Sequence, residues 1–258
     1  MIIAASACTS LSTSNRANGS AVPAPSTPDS VPAASTVAAA ATGIDSRTGM
    51  YGNYHLGIVK IEEGIVSGDG CYDDRGNMIV LIDNDNAIDP TYSQLVQFLQ
   101  ADTIDEYPYI STGNSPGTIL GSAESRVDLP QIQKIIDGTA LPVPPDVCAD
   151  FAERLYTDAE LAGIKCAFVT IDTSTGFHAL NAFQTADDGL VFIDDTGIVS
   201  NAVRSSTGTP RCVKTVNVKV GTDYIPVSLF PYPGWSSAWC SMGTVISCQI
   251  TWGGNWNN

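Results

Sequence analysis

From Tyr54 to Asp83, runs of β-branched residues alternate with turn formers: "YHLGIVKIEEGIV" and "NMIVLID" flank the cluster "SGDGCYDDRG". This pattern predicts two strands, with order beginning near Met50. In "IDPTYSQLVQFLQAD" the apolar period becomes helical. Tyr92, Leu95, Val96 and Leu99 form one stripe, with Asp89 as the expected N-cap and Pro90 at the first helical position. Residues 102–145 are loop-rich, with one short helix expected around "LPQIQKIID". A clearer helix follows in "PPDVCADFAERLYTDAELAGI". Pro144 and Pro145 end the preceding segment, Asp146 is placed to cap, and Cys148 falls in the first turn. Ala152, Leu155, Ala159 and Ala162 continue its side at 3.6-residue spacing, and Gly163 supplies the stop. "KCAFVTID", "FHALNAFQT" and "GLVFIDD" then read as strands, the last two joined by the tight "ADDG" connection. "CVKTVNVKVGTDYIPVSLF" reads as a hairpin, and the remaining "PYPGWSSAWCSMGTVISCQITWGGNWNN" is aromatic and glycine-rich. A helix followed by an antiparallel sheet predicts an α+β fold.

The amino-terminal segment breaks this patterning. From Thr9 to about Thr48 the chain is Ser, Thr, Ala, Pro and Gly with almost no large apolar residue. Such a stretch buries too little surface to fold, so residues 9–48 are expected to be a disordered linker ahead of a single domain at 49–258. Residues 1–8 end in Ala-Ser-Ala-Cys, which resembles the lipobox of bacterial lipoproteins. That resemblance implies export, with Cys8 as a lipidated membrane tether.

The chain has 258 residues, 12 basic against 27 acidic, for a formal charge of −15. A surface of that sign repels phosphate backbones, which argues against nucleic-acid partners. The seven cysteines form no CxxC pair and there are two histidines, so neither a structural zinc site nor any other metal or cofactor is expected. "DNDNAID" has the oxygen-rich look of a calcium loop at Asp83, Asp85 and Asp89. It lacks the glycine and the closing glutamate, and a turn with a helix cap accounts for it better. Cys240 and Cys248 flank "SMGTVIS" and are expected to close a small disulfide loop if the chain is exported. His55 shows no partner in the sequence.

The chemistry lies in the second half. A cysteine nucleophile needs a thiolate at neutral pH, which an imidazolium and a helix N-terminus both favour. The imidazole in turn needs a group that fixes its orientation, usually Asp or Asn. Cys148 opens a helix, His178 lies on a following strand, and Asp194 or Asp195 lies on the next. Successive strand residues face opposite ways, so only one of those two aspartates can meet His178, and the strand register decides which.

Three segments resemble the transglutaminase-like superfamily of papain-like thiol enzymes. "VCADFAERLYTDAELAGIKCAFV" is similar to that family's nucleophile helix and following strand. "HALNAF" resembles its His-Ala-Trp strand, with Leu180 where Trp is frequent. "VFIDDTG" resembles its Val-Asp-Pro-Thr segment, with Asp195 where Pro is common. The resemblance implies a papain-like core in which the nucleophile helix packs on an antiparallel sheet. Cys148 would be the nucleophile, His178 the base and Asp194 the orienting carboxylate. It further implies acyl transfer on a protein or peptide substrate, chiefly hydrolytic, with amine transfer as the other outcome. The competing expectation is a non-catalytic, envelope-anchored module that binds peptide or glycan through Trp235, Trp239, Trp252 and Trp256.

Overall fold

The computed structural model describes residues 50–51, 53–58, 79–107, 134–139, 147–196, 212–231 and 238–253. Cys8, the 9–48 segment, the "SGDGCYDDRG" cluster, Asp146, Trp235 and Trp256 lie outside these residues, as does most of the short helix expected near "LPQIQKIID", of which 134–136 is helical.

The architecture is α+β. β1 (Met50–Tyr51), β2 (Tyr54–Ile58) and β3 (Val80–Asn84) form a small antiparallel sheet in that order. Among the described residues α1 (Tyr92–Ala101) and α2 (Cys148–Leu161) follow, with a 3-10 turn at Ile104–Glu106 and the helical residues 134–136 between them in the chain. A six-stranded antiparallel sheet completes the fold. Its strands are β4 (Ala167–Thr173), β5 (Gly176–Thr185), β6 (Gly189–Asp194), β7 (Lys214–Val216), β8 (Val227–Ser228) and β9 (Val245–Trp252), in the order β8-β7-β6-β5-β4-β9. The glycine-rich carboxy-terminal stretch therefore contains a strand that its composition concealed.

The helix boundaries shift from the expected ones for chemical reasons. α1 begins after Pro90, with Thr91 as N-cap. Thr91 Oγ1 accepts from Gln94 N–H (3.2 Å) while Gln94 Oε1 accepts from Thr91 N–H (2.8 Å), a complete capping box. Asp187, in the β5–β6 turn, accepts from Tyr92 N–H at 2.7 Å, so this distant carboxylate takes part of the role expected of Asp89. α2 ends as its sequence predicts. Gly163 adopts φ +77, its N–H donates to Glu160 O (3.0 Å), and Ile164 N–H donates to Ala159 O (2.9 Å), a Schellman motif. Ala162 is the C-cap and is exposed rather than part of the buried stripe.

The two edges of the large sheet are tied together. Asp223 bridges to Thr244 and Val227 to Ala238, and Met242 N–H donates to Tyr224 O (3.0 Å), after which the same chain runs on as β9 along β4. The sheet thus curls around an inner cluster that includes Val169, Ile171, Leu180, Ala182, Tyr224 and Val245. The opposite face, with Phe168, Ala179, Phe183 and Ile193, packs with Leu155, Tyr156 and Ala159 of α2 and with Leu81 of β3. No helix among the described residues is long and apolar enough to cross a membrane.

Candidate active site

Cys148 is the first residue of α2. Val147 holds the N-cap position in extended backbone geometry (φ −113) and has no side-chain acceptor to offer, so it does not cap the first-turn N–H groups. Asp150 reaches back instead, its Oδ2 accepting from Val147 N–H at 3.1 Å. The Cys148 thiol is free and 9% exposed.

Polar ties fix the helix that presents it. Glu153 Oε1 accepts from Val80 N–H (3.0 Å) and Glu160 Oε2 from Asn84 N–H (3.0 Å), which fastens α2 along β3. Glu160 Oε1 also accepts from Cys166 N–H (2.7 Å), just ahead of β4, and burial pushes its carboxyl up to about 8 against these bonds. On the sheet side, Asn181 Nδ2 donates to Ala152 O at 2.9 Å. The Glu153 and Asn181 bonds hold the first turns of α2 and the Glu160 bonds hold its last turn, so the helix that carries the sulfur is fixed to the strands along its length.

His178 shares the inner face of β5 with Leu180 and Ala182. The last β5–β6 pair is Asn181 with Ile193, so Asp194 ends β6 diagonally across from His178 on the same face. His178 Nε2 lies 3.1 Å from Asp194 Oδ2, leaving Nδ1 as the ring's other hydrogen-bonding nitrogen. The Cys148 side chain lies near enough to this imidazole to favour its protonated form. Burial works against the charged ring, but the Asp194 carboxylate, through charge and hydrogen bond, and the Cys148 side chain outweigh it and push His178 up to about 10. The structure therefore brings Cys148, His178 and Asp194 together. Of the two adjacent aspartates, Asp194 meets the ring, and Asp195 is also buried.

Several partners of Asp194 were not foreseen from the sequence. Tyr224 Oη donates to Oδ2 at 2.8 Å, and its ring meets the imidazole edge-on at 5.5 Å between centroids. Thr196 N–H donates to Oδ1 at 3.0 Å, and Lys214 Nζ lies 3.3 Å from the same oxygen. Burial tends to raise the Asp194 carboxyl, but the charges of Lys214 and His178 and the bonds from His178 and Thr196 hold it well below the ordinary carboxylate range. Tyr224 is pushed the other way, up, by its own burial and by the Asp194 charge. Lys214 follows Val213 at the start of β7, paired with Asp194 of β6, a placement that only the strand pairing reveals.

Other expectations change. Cys240 is disulfide-bonded while Cys248 is a free thiol, so the two do not close a loop. Cys248 sits on β9 opposite Ile171, packed against the inner cluster. His55 does have a partner: its Nε2 lies 2.9 Å from Asp85 Oδ2. Asp83 accepts from Tyr156 Oη (3.3 Å), so these two "DNDNAID" carboxylates are engaged by protein groups. Of the two described tryptophans from the aromatic set, Trp239 carries Lys214 Nζ at 4.7 Å from its ring centroid and Trp252 carries Lys165 Nζ at 5.9 Å.

Searches against family models, curated proteins and solved structures find nothing that matches this chain.

Proposed function

We propose that this protein is a cysteine-dependent acyl-transfer enzyme of transglutaminase-like, papain-like type, acting on peptide or carboxamide bonds. The observation that carries the reading is the convergence of Cys148, at a helix start, on an imidazole whose far nitrogen is held by a buried carboxylate. An imidazolium beside sulfur favours the thiolate, and the first-turn N–H groups of α2, which Val147 does not cap, would serve as oxyanion donors.

In this reading the Cys148 thiolate adds to the carbonyl carbon. His178 passes its proton to the leaving nitrogen as the C–N bond breaks, which leaves a thioester on sulfur. Water then adds to the thioester carbonyl while neutral His178 takes its proton, and the C–S bond breaks to release the acid. An amine in place of water gives cross-linking. Water is taken as the acceptor, as the family resemblance implies. The disulfide at Cys240 supports export to an oxidising compartment, in keeping with Cys8 as a tether.

The low exposure of Cys148 and His178, 9% and 3%, favours the second reading, a binding module on the same frame. Incubating the full chain with a complex peptide mixture, with and without a biotinylated primary amine, separates the two. Mass spectrometry should show cleavage or deamidation with the wild type and none with Cys148→Ser. Peptide masses that never change in a Cys148-dependent way, while peptides are still retained by the Cys148→Ser variant, favour the binding module.

A further inference from the structure

Lys214 is 3% exposed, on a strand whose neighbours in the chain, Cys212 and Val213, are buried. Its Nζ donates to Thr196 O at 2.6 Å, lies 3.3 Å from Asp194 Oδ1 and sits 4.7 Å from the centre of the Trp239 ring. A lysine is seldom fully buried unless paired, and this one is enclosed by three partners.

We infer that Lys214 is a positioning residue for the reaction proposed above: it neutralises Asp194, so that His178 can release its proton instead of being held as the carboxylate's only counter-cation. The inference rests on the thiol-enzyme reading. The ionisable groups around the pair are His178 on β5, Lys214 on β7, Tyr224 ahead of β8, Cys148 at the start of α2 and Asp195 next in the chain. Without Lys214, the inner cluster would hold Asp194 against the imidazolium alone. The ring would then keep its proton more firmly, and both transfer of that proton to the leaving nitrogen and recovery of the neutral base would suffer. Trp239 packs against the ammonium and is itself anchored by its indole N–H donating to Ser228 Oγ at 2.9 Å.

The test compares full-chain wild type, Lys214→Met and Lys214→Arg. The rate of Cys148 carboxamidomethylation by iodoacetamide is followed across pH, and the His178 titration is read by nitrogen-15 NMR. Removing a cation makes every nearby proton harder to remove, so both limbs of the Lys214→Met rate profile should move to higher pH. The expected shift is about one unit, tenfold in proton affinity. Lys214→Arg keeps the charge and should hold the wild-type limbs. A Lys214→Met protein with wild-type melting and unmoved limbs overturns the inference, as does an Arg variant displaced as far as the Met variant. If Lys214→Met does not fold, Lys214→Gln, which can still donate to Thr196 O, takes its place under the same readings. If wild-type Cys148 is labelled no faster than the other thiols, the thiol-enzyme reading fails. The His178 titration then decides separately whether Lys214 sets the charge balance of the pair: a displaced titration supports it and an unmoved one rejects it.

Discussion

His178 Nε2 lies 3.1 Å from Asp194 Oδ2, with 3% and 2% of the two side chains exposed. A buried carboxylate at that distance fixes which ring nitrogen faces the sulfur. Asp194→Asn should therefore slow Cys148-dependent turnover by about a hundredfold or more, because the amide no longer holds the ring in one tautomer. It also strips Lys214 of its anion, so the variant should lose about 3–5 kcal/mol in urea unfolding.

Tyr224 tests the same carboxylate more gently. Tyr224→Phe keeps the edge-on ring contact with His178 and removes only the 2.8 Å bond to Asp194 Oδ2. The expected cost is about 1–2 kcal/mol of stability with the fold intact. The alkaline limb of the activity profile should also move to higher pH, since Asp194 with one donor fewer holds the His178 proton more firmly. Steady-state kinetics across pH would show it.

Stability should fall on the alkaline side before it falls on the acid side. His178 is raised from 6.5 to about 10, so its contribution is complete below 6.5 and is lost as the pH rises through about 10. Glu160 is raised from 4.5 to about 8, so its contribution is present below 4.5 and is lost as the pH climbs through about 8. Asp194 is lowered, so its contribution is present above its ordinary value of 3.8 and is lost only as the pH falls through its depressed folded value. Urea midpoints measured against pH should decline from about pH 4.5 to about pH 10. In Glu160→Gln the part of the decline between about pH 4.5 and pH 8 should be absent.

The same glutamate makes a mechanical prediction. Its two oxygens accept from Asn84 N–H and Cys166 N–H, joining α2 to β3 and to the chain leading into β4. Glutamine offers one acceptor where two are needed. At acid pH, where the charge difference disappears, Glu160→Gln should still unfold about 1–3 kcal/mol more easily than the wild type.

What could be read from the sequence follows from range. Strands β4 to β6 and the α2 stop at Gly163 are local features: β-branched runs, a tight turn and one residue suited to positive φ. The order of Cys148, His178 and Asp194 was legible as a pattern of supports. The family resemblance pointed to Asp194 rather than Asp195, while strand alternation alone left the two open until the β5–β6 register, which pairs Asn181 with Ile193, put Asp194 on the face of His178. Lys214, Tyr224 and Trp239 come from a later part of the chain that closes the sheet, and no local period marks a lysine as inward-facing. Thr91 rather than Asp89 caps α1 because Gln94, three residues on, closes a capping box with it, a local signal; the added carboxylate of Asp187 comes from almost a hundred residues away. β9 was hidden because glycine and tryptophan dominate the composition around it, while its place in the sheet depends on pairing with β4.

The most direct test of the central claim is mass-mapped iodoacetamide labelling of all cysteines in the full chain, from about pH 5 to about pH 9. Cys148 should react faster than Cys166, Cys212 and Cys248 around neutrality, and His178→Ala should slow Cys148 alone by about tenfold or more. A Cys148 that reacts no faster than the other thiols, or keeps its rate when the imidazole is removed, contradicts the account.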